Sequence, residues 1–329
     1  MRSTLFFLVL SIGAAAVAVG QAEAADDSGG KPAAGQLRSS LWRFGMIVTA
    51  SGGPCGAMTG NITVPGEWPE QRVRTVREER TPGVTIQYKK LEGNVRQMEV
   101  KIARLAAGEE ARAVVTFEVM RTVQRPPQQT DALVVPNAKK LPAELRQYLA
   151  PSPYIESTHP EIVALAGQIG SQQQSAWQRV EAIYDWTRQK IEYRKDTPPK
   201  SAMQAIKDGF GDCDEMCSVF VALCRAAGIP ARMVRIPKHV YAEFYLEDDQ
   251  GRGHWFACQL AGAREFGSIS HHEPILQKGD SFKLRVLDPV TKKYKLETYR
   301  LVPDTLVGLP VPGSGQPQLR LIAEPAEDY

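Results

Sequence analysis

Beyond its first two dozen residues the chain has no apolar run long enough to cross a bilayer, and it shows no basic stripe and no internal repeat. It also lacks a glycine-rich phosphate loop, a dinucleotide fingerprint and an EF-hand spacing. Each absence removes a class of function. A membrane span needs about 20 consecutive apolar residues, so no stable insertion is expected downstream of the leader. The 40 Lys and Arg are scattered among 37 Asp and Glu, for a net charge of +3. A chain so balanced offers no track for a phosphate backbone, and nucleic acid is set aside as a partner. With none of the nucleotide or calcium motifs present, no cofactor is expected. Cysteine is scarce: Cys55, Cys213, Cys217, Cys224 and Cys258. Their spacing, with His271 and His272 downstream, matches no compact zinc pattern, so no metal is expected.

What is present begins with Arg2, an apolar run from Leu5 to Val19, and the small-residue pattern Ala22-Glu23-Ala24. These read as a signal peptide over residues 1–24, placing the mature chain in the periplasm or outside the cell. No cysteine follows the cleavage pattern to take a lipid. In an exported protein an odd number of cysteines leaves at least one thiol without an internal partner. Cys217 and Cys224, seven residues apart on one helix, would lie about 10 Å apart, too far to bridge.

A polar leader (25–36) is followed by a region, 37–125, in which apolar residues alternate. Trp42, Phe44 and Met46 do so, as do Val84, Ile86 and Tyr88; Met98, Val100 and Ile102; and Val115, Phe117 and Val119. With turn signals at Gly52-Gly53-Pro54, Pro82-Gly83 and Glu92-Gly93-Asn94, this period predicts a β-sandwich-like domain. Residues 126–153 read as a linker, rich in Pro and polar residues. A second domain is expected over 154–302, opening with two helices whose apolar faces are Ile162, Leu165, Ala166, Ile169 and then Val180, Ile183, Tyr184, Thr187, Ile191. Residues 303–329, dense in Pro and Gly, read as a mobile tail.

The chemistry concentrates in Gly209-Phe-Gly-Asp-Cys-Asp-Glu-Met-Cys, which leads into an apolar helix stopped by Gly228 and Pro230. Asp212 can cap that helix, which puts Cys213 in its first turn. Unpaired N–H groups and the positive helix end there favour a thiolate, the nucleophilic form of cysteine, and could hold an oxyanion. Alone, Cys213 could equally be a small residue in a tight turn, and Cys217 and Cys224 are expected to be core residues. The acids Asp212, Asp214 and Glu215 suit a helix N-terminus on dipole grounds alone. After the helix, Val240, Ala242, Phe244 and Leu246 alternate with His239, Tyr241, Glu243 and Tyr245 as in a half-buried strand, and Trp255 to Leu260 reads as its return. In a simple hairpin register, residue 246 faces 254, so Gln259 falls diagonally beside His239, where its amide could orient the imidazole. A bulge would turn it away. Tyr241 and Glu243 are assigned either to the cleft or to a solvated strand face, and His271 and His272 to a surface loop.

The segments GDCDEMCSVFVALCRAAGIPAR, HVYAEFY and HWFACQ resemble the core of the transglutaminase-like, papain-related superfamily, over roughly Pro160 to Leu260. The resemblance implies an α+β fold with a Cys-bearing helix packed on an antiparallel sheet. It also implies a catalytic Cys213, a base in His239, and a third residue four positions after Trp255. That position holds Gln259 where the family usually has Asp. An amide orients a neutral imidazole but cannot stabilise an imidazolium by charge. Asp288, in Val-Leu-Asp-Pro, is a spare carboxylate or a turn residue. The activity implied is acyl transfer on protein or peptide amides through a Cys thioester, with water as the favoured acceptor and an amine the other. The alternative is a non-catalytic binding or scaffold protein with a degraded triad.

Overall fold

In the computed structural model the described residues are 33–172, 175–287, 293–308, 313 and 315–326; the leader 1–24 and Asp288 lie outside them. The N-terminal region forms six strands: β1 (Ala33–Ser51), β2 (Met58–Val64), β3 (Gln71–Arg80), β4 (Thr85–Lys90), β5 (Arg96–Ile102) and β6 (Glu110–Arg125). After a single helical turn, α1 (Ala143–Arg146), come α2 (Pro160–Gly170), α3 (Ala176–Lys190), β7 (Glu192–Tyr193), α4 (Ala202–Asp208), β8 (Phe210–Gly211) and α5 (Cys213–Ala226). Then follow β9 (Ala231–Ile236), β10 (His239–Glu247), β11 (Gly253–Gln259), β12 (Glu265–Phe266) and β13 (Gln277–Lys278). A hairpin of β14 (Phe282–Leu287) and β15 (Tyr294–Tyr299) precedes β16 (Thr305–Gly308) and β17 (Gln316–Pro325).

The alternating residues of β1, β5 and β6 point into one core. Trp42, Phe44, Met46, Met98, Val100, Ile102, Val115, Phe117 and Val119 are all buried there. Two antiparallel sheets enclose it, in the orders β17-β1-β6-β3 and β16-β2-β5-β4. Residues 305–308 and 316–325 are therefore not a tail: β16 pairs with β2, and β17 runs along β1 from Trp42↔Pro325 to Ser51↔Gln316. Of the prolines that suggest a tail, Pro317 and Pro325 sit on β17, a strand at the sheet edge. A missing N–H costs nothing on its outer side.

Between these flanking strands lies a five-stranded antiparallel sheet, β12-β11-β10-β9-β13. Helix α5 covers one face. Its Cys217, Phe220 and Cys224 are buried with Val240, Ala242, Phe244 and Phe256 of the sheet, and Trp177 of α3 meets Phe244, Phe256 and Phe266 edge-on at 5.6, 5.3 and 4.8 Å between ring centroids. All five cysteines are free thiols. The other face of the sheet is covered by the β-sandwich, which corrects the expectation of a cleft or solvated face at Tyr241 and Glu243. Both are fully buried. Arg121 of β6 donates to the Tyr241 hydroxyl at 3.0 Å, while Arg232 and Lys278 each donate to Glu243 at 2.7 Å. Period-two patterning marks which residues share a face, not whether another domain covers it.

Candidate active site

Two glycines set the approach to α5. Gly209 ends α4 in the left-handed region at φ 75°, which glycine enters without a Cβ clash. A methyl group on Gly211 would stand 2.5 Å from Glu215 Cβ, so the backbone can pass close under that side chain only as glycine. Asp212 then caps the helix, accepting from the Asp214 N–H at 2.8 Å, and its own N–H donates to Glu215 at 3.2 Å. Cys213 is the first helical residue, half-buried, with its side chain toward the sheet.

His239 is the first residue of β10, directly after the turn Pro237-Lys238, where Lys238 takes φ 60°. The hairpin that follows has the simple register, Leu246↔His254 through Ala242↔Cys258. Gln259 accordingly reaches His239: Oε1 and Nε2 are 2.8 Å apart. Helix α3 fixes the Gln259 backbone, with the Tyr184 hydroxyl donating to its carbonyl at 2.7 Å and Arg188 donating at 3.1 Å.

Cys213 and His239 line one cleft of about 520 Å³. Tyr193, Asp212 and Asp214 line it from the helix side, Arg235 and Lys238 from the sheet, and Leu301 to Asp304 form a strap across it. Arg300 pins the strap to α5 by donating to Ser218 Oγ at 3.1 Å and lying 3.7 Å from Asp214. The boundary expected at residue 303 thus falls inside the wall of the cleft.

The local charges depart from the expectation of a thiolate. Burial pushes the Cys213 thiol up to about 11, the Asp214 and Asp212 carboxylates add to this, and the N–H groups of Val240 and of Cys213 itself pull the other way. Burial holds His239 below its ordinary value, His271 adds to the effect, and the Gln259 hydrogen bond, Glu273 and Asp214 oppose it. Both shifts favour the uncharged forms, a thiol on Cys213 and a neutral imidazole on His239. Alkylation of Cys213 by iodoacetamide, followed by peptide mass spectrometry, is expected to be slow at neutral pH and still rising above the ordinary thiol range of about 8.5. A rate that levels off below that range would show a preformed thiolate.

Asp212, Cys213 and Asp214 could each offer one ligand atom within 4.8 Å of the others. Asp212 is already engaged as the helix cap and Asp214 faces Arg300, so the acids are accounted for by the helix end.

His271, assigned to a surface loop with His272, lies at the site and brings Glu273 with it. Gln259 Nε2 is 2.7 Å from His271 Nε2, and His271 Nδ1 is 3.1 Å from Glu273 Oε2. The His239 and His271 rings are 5.0 Å apart. No periodicity or spacing in the sequence points to them, because a loop held by another domain brings them in.

Comparison with known proteins agrees with this architecture. Residues 163–260 match the model of the transglutaminase-like superfamily. A solved structure described as a candidate cysteine protease from Cytophaga hutchinsonii superposes with a TM-score of 0.56 at 17% identity, covering 89% of this chain and 94% of that one. A candidate protease from Parabacteroides distasonis is more distant, with a TM-score of 0.28 at 13% identity over 73% of this chain and 48% of that chain. None of the curated proteins matches the chain. The fold, the Cys-bearing helix on its antiparallel sheet and the matched segment together place residues 163–260 in the transglutaminase-like superfamily.

Proposed function

We propose that this protein is a cysteine-dependent acyl-transfer enzyme that cleaves amide or peptide bonds of protein substrates, with water as its principal acceptor, in the periplasm or outside the cell. The observation that carries this reading is the convergence of Cys213 and His239 on one open cleft, with His239 Nε2 engaged by Gln259 at 2.8 Å. That bond leaves Nδ1 as the ring nitrogen for the Cys213 proton.

As the sulfur attacks the substrate carbonyl carbon, the S–H proton passes to Nδ1, and the neutral resting pair becomes thioether and imidazolium. The N–H groups of Cys213 and Val240 bear on the sulfur, and in this reading they serve as donors to the oxyanion. Collapse breaks the C–N bond, the amine or ammonia leaves with the proton from His239, and a thioester remains. Water attacks the thioester, giving its proton to His239, and the acid and free thiol are released.

The test is turnover of a denatured protein or peptide mixture in H₂¹⁸O, read by mass spectrometry. Hydrolysis places one ¹⁸O in each new carboxylate, at a peptide terminus or at a deamidated side chain; transfer to an amine gives a cross-link and no label. Neither product, with no Cys213 acyl adduct on quenching, would leave the non-catalytic scaffold reading that Gln259 suggests.

A further inference from the structure

The residue beside His239 is an amide, and an amide by itself offers the imidazolium no charge. The nearest carboxylate in the chain of hydrogen bonds stands two partners further on. Gln259 Oε1 faces His239, its Nε2 faces His271, and the far nitrogen of His271 faces Glu273. We propose that His271 and Glu273 are positioning residues of the active site, which through Gln259 supply His239 with the orientation and negative charge that an aspartate at position 259 would supply directly. The inference rests on the acyl-transfer reading for its consequence, and on geometry alone for its existence.

Only one arrangement of protons satisfies every contact when His239 acts as base. Glu273 accepts from His271 Nδ1–H, leaving His271 Nε2 as an acceptor. Gln259 donates an N–H to that nitrogen, so its oxygen accepts from His239 Nε2–H. His239 Nδ1 is then the free base. When Nδ1 takes the thiol proton, no proton need leave the chain: each bond polarises toward Glu273, whose carboxyl is held down to about 2, chiefly by the His271 bond.

The loop that carries the pair is built, not incidental. The Gln71 side chain of β3 clamps Ile275 from both sides, accepting from its N–H at 2.7 Å and donating to its carbonyl at 2.9 Å. Gln124 of β6 accepts from the Ile269 N–H at 3.2 Å, and Arg121 of the same strand donates to the Glu273 carbonyl. The β-sandwich thereby holds the outer end of the array, while α3 holds Gln259. The other charged or titratable groups bearing on the array are Arg121 and His272 beside Glu273, and Asp214 of α5 facing His239; Arg38 acts on His272.

The experiment compares wild type with Glu273→Gln, Glu273→Asp and His271→Ala by two readouts on the full chain. One is the pH profile of kcat and kcat/KM; the other is the ¹⁵N chemical shifts of the His239 ring across pH, which need no turnover. Glu273→Gln is expected to lower kcat about 10- to 100-fold with KM nearly unchanged, by analogy with the loss of an outer partner of a metal-ligating histidine. It should also shift the acid limb to lower pH and move the His239 ¹⁵N titration with it, and Glu273→Asp should recover part of both. If kcat stays within twofold and the ¹⁵N shifts do not move, the proposal is overturned. A loss of activity that tracks thermal stability, with the acid limb and the ¹⁵N titration unmoved, overturns it equally, because the pair would then only hold the loop. If wild type turns over nothing, the acyl-transfer reading fails, while the ¹⁵N titration still decides whether Glu273 acts on His239.

Discussion

Replacing Cys213 by alanine is expected to abolish turnover, with kcat/KM falling by at least about 1,000-fold while the fold is retained. Cys213 carries the only thiol among the described residues that line the cleft, and alanine suits the first turn of a helix, so stability should change little. His239→Ala should cost about as much, since a thiol pushed up to about 11 is inert at neutral pH without a base. The double variant should be no worse than either single one, because nucleophile and base act as a unit. The pH profile follows from the same charges. Activity requires neutral His239, whose burial lowers its pKa, so kcat/KM should rise with pH through a point below 6.5 and then stay level into the alkaline range. A preformed ion pair would instead give a bell, closed on the alkaline side as His239 lost its proton. Initial rates on one labelled peptide across pH, for the three variants and wild type, check all of this together.

The second large effect concerns the frame of the site. Arg225 of α5 donates from Nη2 to both carboxylate oxygens of Asp280, after β13, at 2.8 Å, with both side chains 1% exposed. Arg225 also donates to the carbonyls of Ala231 and Ala150, and Asp280 accepts from the Ser152 hydroxyl at 2.6 Å. One buried charge pair thus ties the nucleophile helix to the sheet and to the segment that enters this domain. Asp280→Ala leaves the guanidinium buried without its counter-charge, and such losses cost about 3–5 kcal/mol. The urea midpoint should drop accordingly. The double variant Arg225→Met, Asp280→Leu should recover much of the loss, since replacing both charges by apolar groups of similar volume is often close to neutral. A double variant as unstable as the single one would mean that the helix needs the Arg225 bonds to backbone carbonyls more than it needs the pair.

That pair also shows what could be read from the sequence and what could not. Alternation placed Trp42, Phe44, Met46 and their partners on one face correctly, because each strand's inner face is decided by its own residues. Counting across the hairpin put Gln259 beside His239, because the Leu246↔His254 register has no bulge. The motif LCRAAGIPAR marked the helix, yet nothing local shows that its two arginines serve buried ion pairs with Asp280 and Glu243. Partners so distant in sequence leave no periodic trace. The same holds for His271 and Glu273, whose place depends on Gln71, Gln124 and Arg121 from another domain. Residues 303–329 misled for a different reason: Pro and Gly suggest a tail by composition, but an edge strand tolerates proline, and its partner β1 lies at the other end of the described chain.

That last pairing bears on the order in which the molecule can assemble. Every contact inside the helix-and-sheet unit is available before β17 has been made, whereas the edge of β1 stays uncovered until β17 meets it. Entropy is a minor obstacle, since the cost of joining distant segments grows only with the logarithm of the loop between them. Timing is the larger one. Until β17 arrives, β1 offers a long open edge whose alternate residues are apolar, and such an edge pairs readily with a neighbouring chain. The species most prone to aggregate is therefore the chain made as far as β16, and β17 acts as the seal on a sheet begun by β1.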